Sequence, residues 1–286
     1  VARAAREHET IVSNDTTQEP NFLPNPLLPQ TRSEVSIPLI VGDRVLGVLD
    51  IQDDRANRFT QADVDTFTTL AGQIATALQT ATAFEQTQIR LRVSRALAGA
   101  RTEEEVLDAL IEQASLYPKT QVSVFTIEVE GNERYVVAQR TKAFDSRLPV
   151  TVQPGLRFPL SQFRLIEQAE VDGVFVSANL AADERADAVA REMARQAGTA
   201  SIAIVPIKTG EEQLGSIAVS SEEEGYFDYR KLTLYQTLAE QGATALQIAR
   251  LNDENLRTAE RLKEVDRLKS EFLASMSHEL RTPLNS

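Results

Sequence analysis

The sequence predicts an α+β fold with two related units in tandem, each an antiparallel sheet with flanking helices, joined and followed by long helices. Three observations predict it. Shifting the chain against itself by 168 residues aligns residues 36–85 with 204–253 without a gap. Within each copy, apolar residues first alternate around glycine turns and then recur at three- and four-residue spacings. Two long stretches, after Phe84 and after Ile248, run without Gly or Pro as far as Gly99 and Pro283.

The repeat is dense. Pro38, Gly42, Leu46, Gly47 and Phe59 recur as Pro206, Gly210, Leu214, Gly215 and Phe227, and the run Ala-Thr-Ala-Leu-Gln at 75–79 recurs at 243–247. Resemblance between amphipathic helices explains the run alone, but not glycines and a proline at one offset. Each copy therefore reads as a hairpin, turning at Gly42-Asp43 or Thr209-Gly210, with second strands over 45–51 and 213–219. A helix follows Phe59, with Val64, Phe67, Leu70, Ile74 and Leu78 on one face, and another follows Phe227, with Leu232, Tyr235, Leu238 and Leu246.

Between the copies, the helix from Thr60 is expected to run on to Leu97 as a connecting rod. Thr102 with Glu105 is a capping box opening a helix with Val106, Leu107, Leu110 and Ile111, closed by Pro118. Alternation over 122–129, a Gly131-Asn132 turn and residues 135–138 predict a second hairpin, 160–169 a short helix and 174–177 a strand. The second copy has over 100 residues of its own upstream and the first only 35, so the first unit is expected to be cut from a longer protein. The missing initiator Met agrees with this.

Composition excludes several function classes. The 42 acidic against 30 basic residues leave a net charge of -12, which repels the phosphate backbone and argues against a nucleic-acid partner. With no Cys, disulfides, thiolate metal sites and thioether-linked chromophores are excluded. Only His8 and His278 are available as imidazoles, so no metal site is expected in the chain.

The order of elements, with the hairpin built on Ser33-Glu34-Val35-Ser36-Ile37-Pro38-Leu39 and Val45-Leu46-Gly47-Val48-Leu49, resembles the GAF family of sensory domains over residues 1–250. The resemblance implies a central antiparallel sheet with helices on one face, terminal helices that pack against a partner subunit, and in several members a small-molecule pocket over the sheet. No ligand carries over. There is no Cys for a bilin and no Asn-Lys-Phe-Asp-Glu motif of the cyclic-nucleotide binders, so the ligand stays unknown and a domain that only dimerises and relays stays open.

From Ile248 onward a seven-residue frame places Ile248, Leu251, Leu262, Val265, Phe272 and Met276 on one seam, with Asn255, Thr258 and Lys269 as its polar members, as expected of a homodimeric coiled coil. Further on, Phe272, Met276, Leu280 and Leu284 share a face, and His278 lies about 200° from two of them, so its imidazole is expected to point outward. Pro283 inside this helix removes an amide donor, at a cost of about 3 kcal/mol.

The run Ser-His-Glu-Leu-Arg-Thr-Pro-Leu at 277–284 resembles the H-box of sensor histidine kinases. The resemblance implies that His278 accepts the γ-phosphoryl of ATP and passes it to an Asp of a response regulator receiver domain, from a helix that dimerises into a four-helix bundle. It gives Glu279 the acid/base or orienting role, and Thr282 that of positioning a water for dephosphorylation. Imidazole suits the task because much of it is uncharged near neutral pH and its lone pair can attack phosphorus in line. The ATP-binding domain that would bring Mg-ATP is not expected within these residues, so the fragment alone should be inactive. A bacterial cytoplasmic location follows from the resemblance, and a membrane segment elsewhere in a longer protein stays open.

The expected division is residues 1–84 as the end of a first GAF domain, 85–101 a connecting helix, 102–250 a second GAF domain, 251–265 a signalling coiled coil and 266–286 the start of the dimerisation and phosphoacceptor domain. Two other readings remain: a non-enzymatic ligand-binding or dimerisation module whose H-box is vestigial, and an adaptor coiled coil without phosphotransfer.

Overall fold

The computed structural model describes residues 1–20, 22–144 and 152–284, with the side chains of 189, 193 and 272–284 outside the description. The chain divides into two compact units, Val1–Gln88 and Ile89–Ser286.

In the first unit, helix α1 (Ala2–Glu7) precedes strands β1 (Ile11–Ser13), β2 (Ser33–Val41) and β3 (Arg44–Asp53), an antiparallel sheet in that order. Helix α2 (Gln61–Leu97) follows. Its start is set by Thr60 and Asp63: the Thr60 amide donates to the Asp63 carboxylate at 2.9 Å and the Asp63 amide donates to the Thr60 hydroxyl at 3.3 Å. Alternation in β2 sends Val35, Ile37 and Leu39 to one face, where they pack on Ala71 and Ala75 of α2.

The second unit has a six-stranded antiparallel sheet. Helix α3 (Glu103–Ala114) opens with both halves of the Thr102–Glu105 capping box in place. Strands β4 (Thr120–Glu130), β5 (Glu133–Phe144) and β6 (Arg157–Pro159) come next, then helix α4 (Arg164–Asp172), strand β7 (Phe175–Ser177) and helix α5 (Ala188–Ala197). Strands β8 (Ser201–Thr209) and β9 (Glu212–Ser221) and helix α6 (Tyr229–Leu284) complete it. The strand order is β6-β5-β4-β9-β8-β7.

The two repeat copies share their register to the residue. In β2–β3, Leu39 faces Gly47 and Ile40 faces Val45 across a bulge; in β8–β9, Ile207 faces Gly215 and Lys208 faces Gln213 across the same bulge. Each of these pairs is related by the 168-residue offset. Both turns begin with glycine at positive φ, Gly42 at 58° and Gly210 at 59°, as a two-residue hairpin loop needs. The second turn is thus Gly210-Glu211, one residue later than Thr209-Gly210, because Thr209 still pairs with Glu212.

Other expectations shift for local reasons. The helix expected over 160–169 is a 3-10 turn, Leu160–Gln162, followed by α4. Helix α5 escapes the apolar-run reading because its burial falls on small residues such as Ala194; Asp187 caps it by accepting from the Ala190 amide at 2.7 Å, and Gly198 closes it at positive φ. Helices also cover both faces of the sheet rather than one. On one face Val122, Val124, Val205, Ile217 and Val219 pack on Leu107 and Leu110 of α3 and Leu234, Leu238 and Leu246 of α6, joined by Val93 and Leu97 from the end of α2. On the other, Phe125, Ile127 and Ile204 pack on Leu165 and Ile166 of α4 and Ala194 of α5.

Candidate functional site

Two places can carry chemistry. The first is a cavity of about 150 Å³ in the second unit, between the sheet and the α4–α5 layer. Its floor comes from alternating residues of three strands: Gln121, Ser123 and Phe125 of β4, Ile202 and Ile204 of β8, and Ala218 and Ser220 of β9. Leu165 and Ile166 of α4 form one wall, and the small residues Ala190, Ala194 and Ala197 of α5 leave room on the other.

The surrounding loop is held by arginines. Arg185 donates to both carboxylate oxygens of Asp183, at 3.0 and 2.6 Å, and to the Val176 carbonyl at 2.6 Å, while its guanidinium lies 4.6 Å from the centre of the Phe175 ring. This hydrogen-bonded pairing with Arg185 holds the Asp183 carboxyl well below the usual carboxylate range. Arg191 donates to the Asp183 carbonyl at 3.0 Å and to the Ala186 carbonyl. The wall bearing Leu180 and Asp187 is therefore built without a ligand.

Among the described residues, Gln121 and Arg164, like Gln162, Thr199 and Ser220 of the same lining, have no side-chain hydrogen-bond or ion-pair partner. Gln121 is only 7 % exposed, and its carboxamide makes no hydrogen bond to a described residue. Arg164, the first residue of α4, has no carboxylate partner, and no side chain caps that helix start.

The equivalent face of the first unit is different. At the repeat positions of Ile202, Ile204, Ala218 and Ser220 stand Glu34, Ser36, Asp50 and Gln52. Ser36 Oγ lies 2.8 Å from both Glu34 and Asp50 carboxylate oxygens, and Gln52 donates to Asp50 at 2.7 Å. One hairpin design thus carries an acidic, internally hydrogen-bonded face in one copy and an apolar floor in the other.

The second place is the end of α6. His278, Glu279 and Thr282 all lie on its helical backbone, which continues through Pro283 to Leu284; their side chains lie outside the described ones. Upstream, Ile248, Leu251, Leu262 and Val265, the apolar seam residues expected to pair, are 52–65 % exposed. Among the described residues no helix is long and apolar enough to cross a membrane, and no cluster of three His, Cys, Asp or Glu could hold a metal ion.

The cavity residues were not singled out in the sequence. The signal was present in Gln121 and Ser123, polar positions alternating with Val122 and Val124, but it could not be read without knowing which face α4 and α5 cover.

A family model described as GAF domain matches residues 1–79 and 100–247. Similar solved structures include the phycoerythrobilin-bound GAF domain of a cyanobacterial phytochrome, at 18 % identity over 59 % of this chain and 97 % of that one, with a TM-score of 0.49. The GAF domain of a phosphoenolpyruvate-protein phosphotransferase from Coxiella burnetii is 17 % identical over 60 % of this chain and 98 % of that one, with a TM-score of 0.48. The GAF domain of a two-component sensor histidine kinase from Bacillus halodurans is 13 % identical over 53 % and 98 %, with a TM-score of 0.42. No curated protein matches the chain.

Proposed function

The chain belongs to the GAF domain family, and from that premise we propose that it is the sensory and phosphoacceptor portion of a two-component sensor histidine kinase, with two GAF domains in tandem feeding one H-box. The observation that carries the reading is the sequence Ser-His-Glu-Leu-Arg-Thr-Pro-Leu at 277–284, placed on the same helix whose first turns build the core of the second unit. A displacement of Leu234, Leu238 or Leu246 in that core is carried along α6 without a further part, because a packed helix moves between discrete arrangements.

In this reading His278 accepts the γ-phosphoryl of Mg-ATP bound to a separate catalytic domain, and a receiver-domain Asp takes it in turn. The N–P bond forms as the bond to the ADP oxygen breaks, and it breaks again as the carboxylate attacks. Glu279 orients the imidazole or takes its proton, and Thr282 holds the water that dephosphorylates the regulator. The exposed seam supports pairing of two α6 helices in a homodimer, since Ile248, Leu251, Leu262 and Val265, each a little over half exposed, favour burial by about 1–2 kcal/mol each. A bacterial cytoplasmic location belongs to the same reading.

The test is to extend the chain with a histidine-kinase ATP-binding domain and supply Mg-ATP. Acid-labile label is expected on His278 and absent in His278→Gln, while sedimentation gives a dimer that Leu262→Glu with Val265→Glu dissociates. Full labelling of the His278→Gln protein would sink the assignment and leave a GAF module with a vestigial H-box.

A further inference from the structure

The cavity of the second unit has a chemical signature that no family resemblance assigns. Its sheet floor is apolar at Phe125, Ile202, Ile204 and Ala218. Within it sits an unpartnered carboxamide, Gln121, more than nine-tenths buried. That carboxamide makes no hydrogen bond to a described residue, so it is free to bond a polar group that enters the cavity.

The charges decide the sign of the ligand. Asp187 lines the cavity but caps α5 through the Ala190 amide, so its carboxylate and that helix start offset each other. Arg164 is the cation of the lining, unpaired among the described residues, and opens α4, whose first amides receive no side-chain cap; Glu167 stands in that first turn but does not line the cavity. A guanidinium beside an uncapped helix start attracts an anion. The volume of about 150 Å³ suits a body the size of one six-membered ring and is far below the 300–1,000 Å³ typical of larger ligands. The first unit offers the opposite, since Glu34 and Asp50 occupy the equivalent floor and repel an anion.

We propose that the second unit binds a small organic monocarboxylate of about one ring in size, its apolar body on the sheet floor, its carboxylate at Arg164 and the start of α4, and a second polar group hydrogen-bonded to Gln121. This rests on the reading that the unit receives a signal through its cavity.

The experiment is isothermal titration of the full chain at pH 7 with 4-hydroxybenzoate, benzoate, phenylacetate, phenol and tyramine. The carboxylates should bind about tenfold or more tightly than phenol, and tyramine should give no heat. Arg164→Gln, an exposed change that leaves the core intact, should cut 4-hydroxybenzoate affinity by about tenfold and leave phenol unchanged. Gln121→Leu should bring 4-hydroxybenzoate down to the affinity of benzoate. Phenol binding as tightly as the carboxylates, tyramine binding more tightly, an Arg164→Gln protein indistinguishable from the parent, or no heat from any carboxylate at about 10 mM would each overturn the proposal. None of these readouts involves ATP or His278, so failure here leaves the phosphoacceptor reading standing, and loss of labelling at His278 leaves this result standing.

Discussion

Replacing Tyr235 by Phe should stabilise the second unit. Tyr235 on α6 is fully buried, packed edge-on against Tyr117 and Phe227 at ring-centre distances of 6.3 and 6.4 Å, and its hydroxyl has no hydrogen-bond partner among the described residues. An unsatisfied buried hydroxyl costs about 1–3 kcal/mol, whereas the ring contacts survive the substitution, so a gain of about 1–2 kcal/mol is expected. In a unit of this size that raises Tm by roughly 2–8 °C. The first copy has already made the exchange, since the equivalent residue is Phe67. All 5 tyrosines lie in the second unit and there is no Trp, so tyrosine emission during thermal unfolding reports that unit alone. The effect should also depend on pH. Burial, followed by the neighbouring Tyr226 and Tyr117, pushes the Tyr235 phenol up. The folded state then keeps a proton that the unfolded state releases above about pH 10, so this stability is present below that pH and falls as pH rises, by up to about 1.4 kcal/mol per pH unit. Tyr226, pushed up to about 12 mainly by burial, titrates equally in both proteins and cancels. The gap between Tyr235→Phe and the parent should therefore widen above pH 10. A variant no more stable at pH 7, with a constant gap to pH 11, would show that the hydroxyl is satisfied and the reasoning wrong.

The two copies make a matched pair at glycine: a Cβ on Gly215 would lie 2.1 Å from the Phe125 carbonyl oxygen, whereas one on Gly47 meets only Leu39 Cδ1 at 3.6 Å. Gly215→Ala should thus cost about 3 kcal/mol or more by calorimetry and Gly47→Ala less than about 0.5 kcal/mol, and equal costs would refute the close approach of β4 and β9 as the cause. Asp183, held below the usual range by Arg185, contributes stability that is present above its unfolded value near pH 4 and is lost as pH falls through the folded one. Between pH 5 and pH 3 the parent should lose more stability than Arg185→Ala does, and parallel acid curves would exclude the pairing as a source of stability.

Much of the fold was legible because it rests on local rules. The capping box at Thr102 and Glu105, the two-residue turns and the uninterrupted helices each depend on residues within a few positions of one another. The recurrence of Gly47 as Gly215 showed that the hairpin is duplicated, yet only the packed sheet shows that the glycine is sterically required in the second copy, where β4 lies alongside β9. Helix α5 was missed because its burial falls on alanines, Ala194 among them, which carry little hydrophobic signal. The run Ser-His-Glu-Leu-Arg-Thr-Pro-Leu at 277–284, which resembles an H-box, was legible as a linear string, since its residues are neighbours on one helix. The cavity was not: Gln121, Arg164 and Ala194 are distant in the chain and meet only after β4, α4 and α5 pack.

By itself, then, the sequence determined whatever depends on neighbours and periodicity: the repeat, the presence of the two hairpins, the helix that carries His278 and the apolar seam along it. Tertiary structure alone decided which strand faces became floor and which became core. A strand's alternation divides residues into two sets but does not say what covers each set. Only the placement of α4 and α5 over Ile202, Ile204 and Ala218 turned one set into a cavity, while the same positions in the first copy carry Glu34, Ser36 and Asp50, bonded to one another.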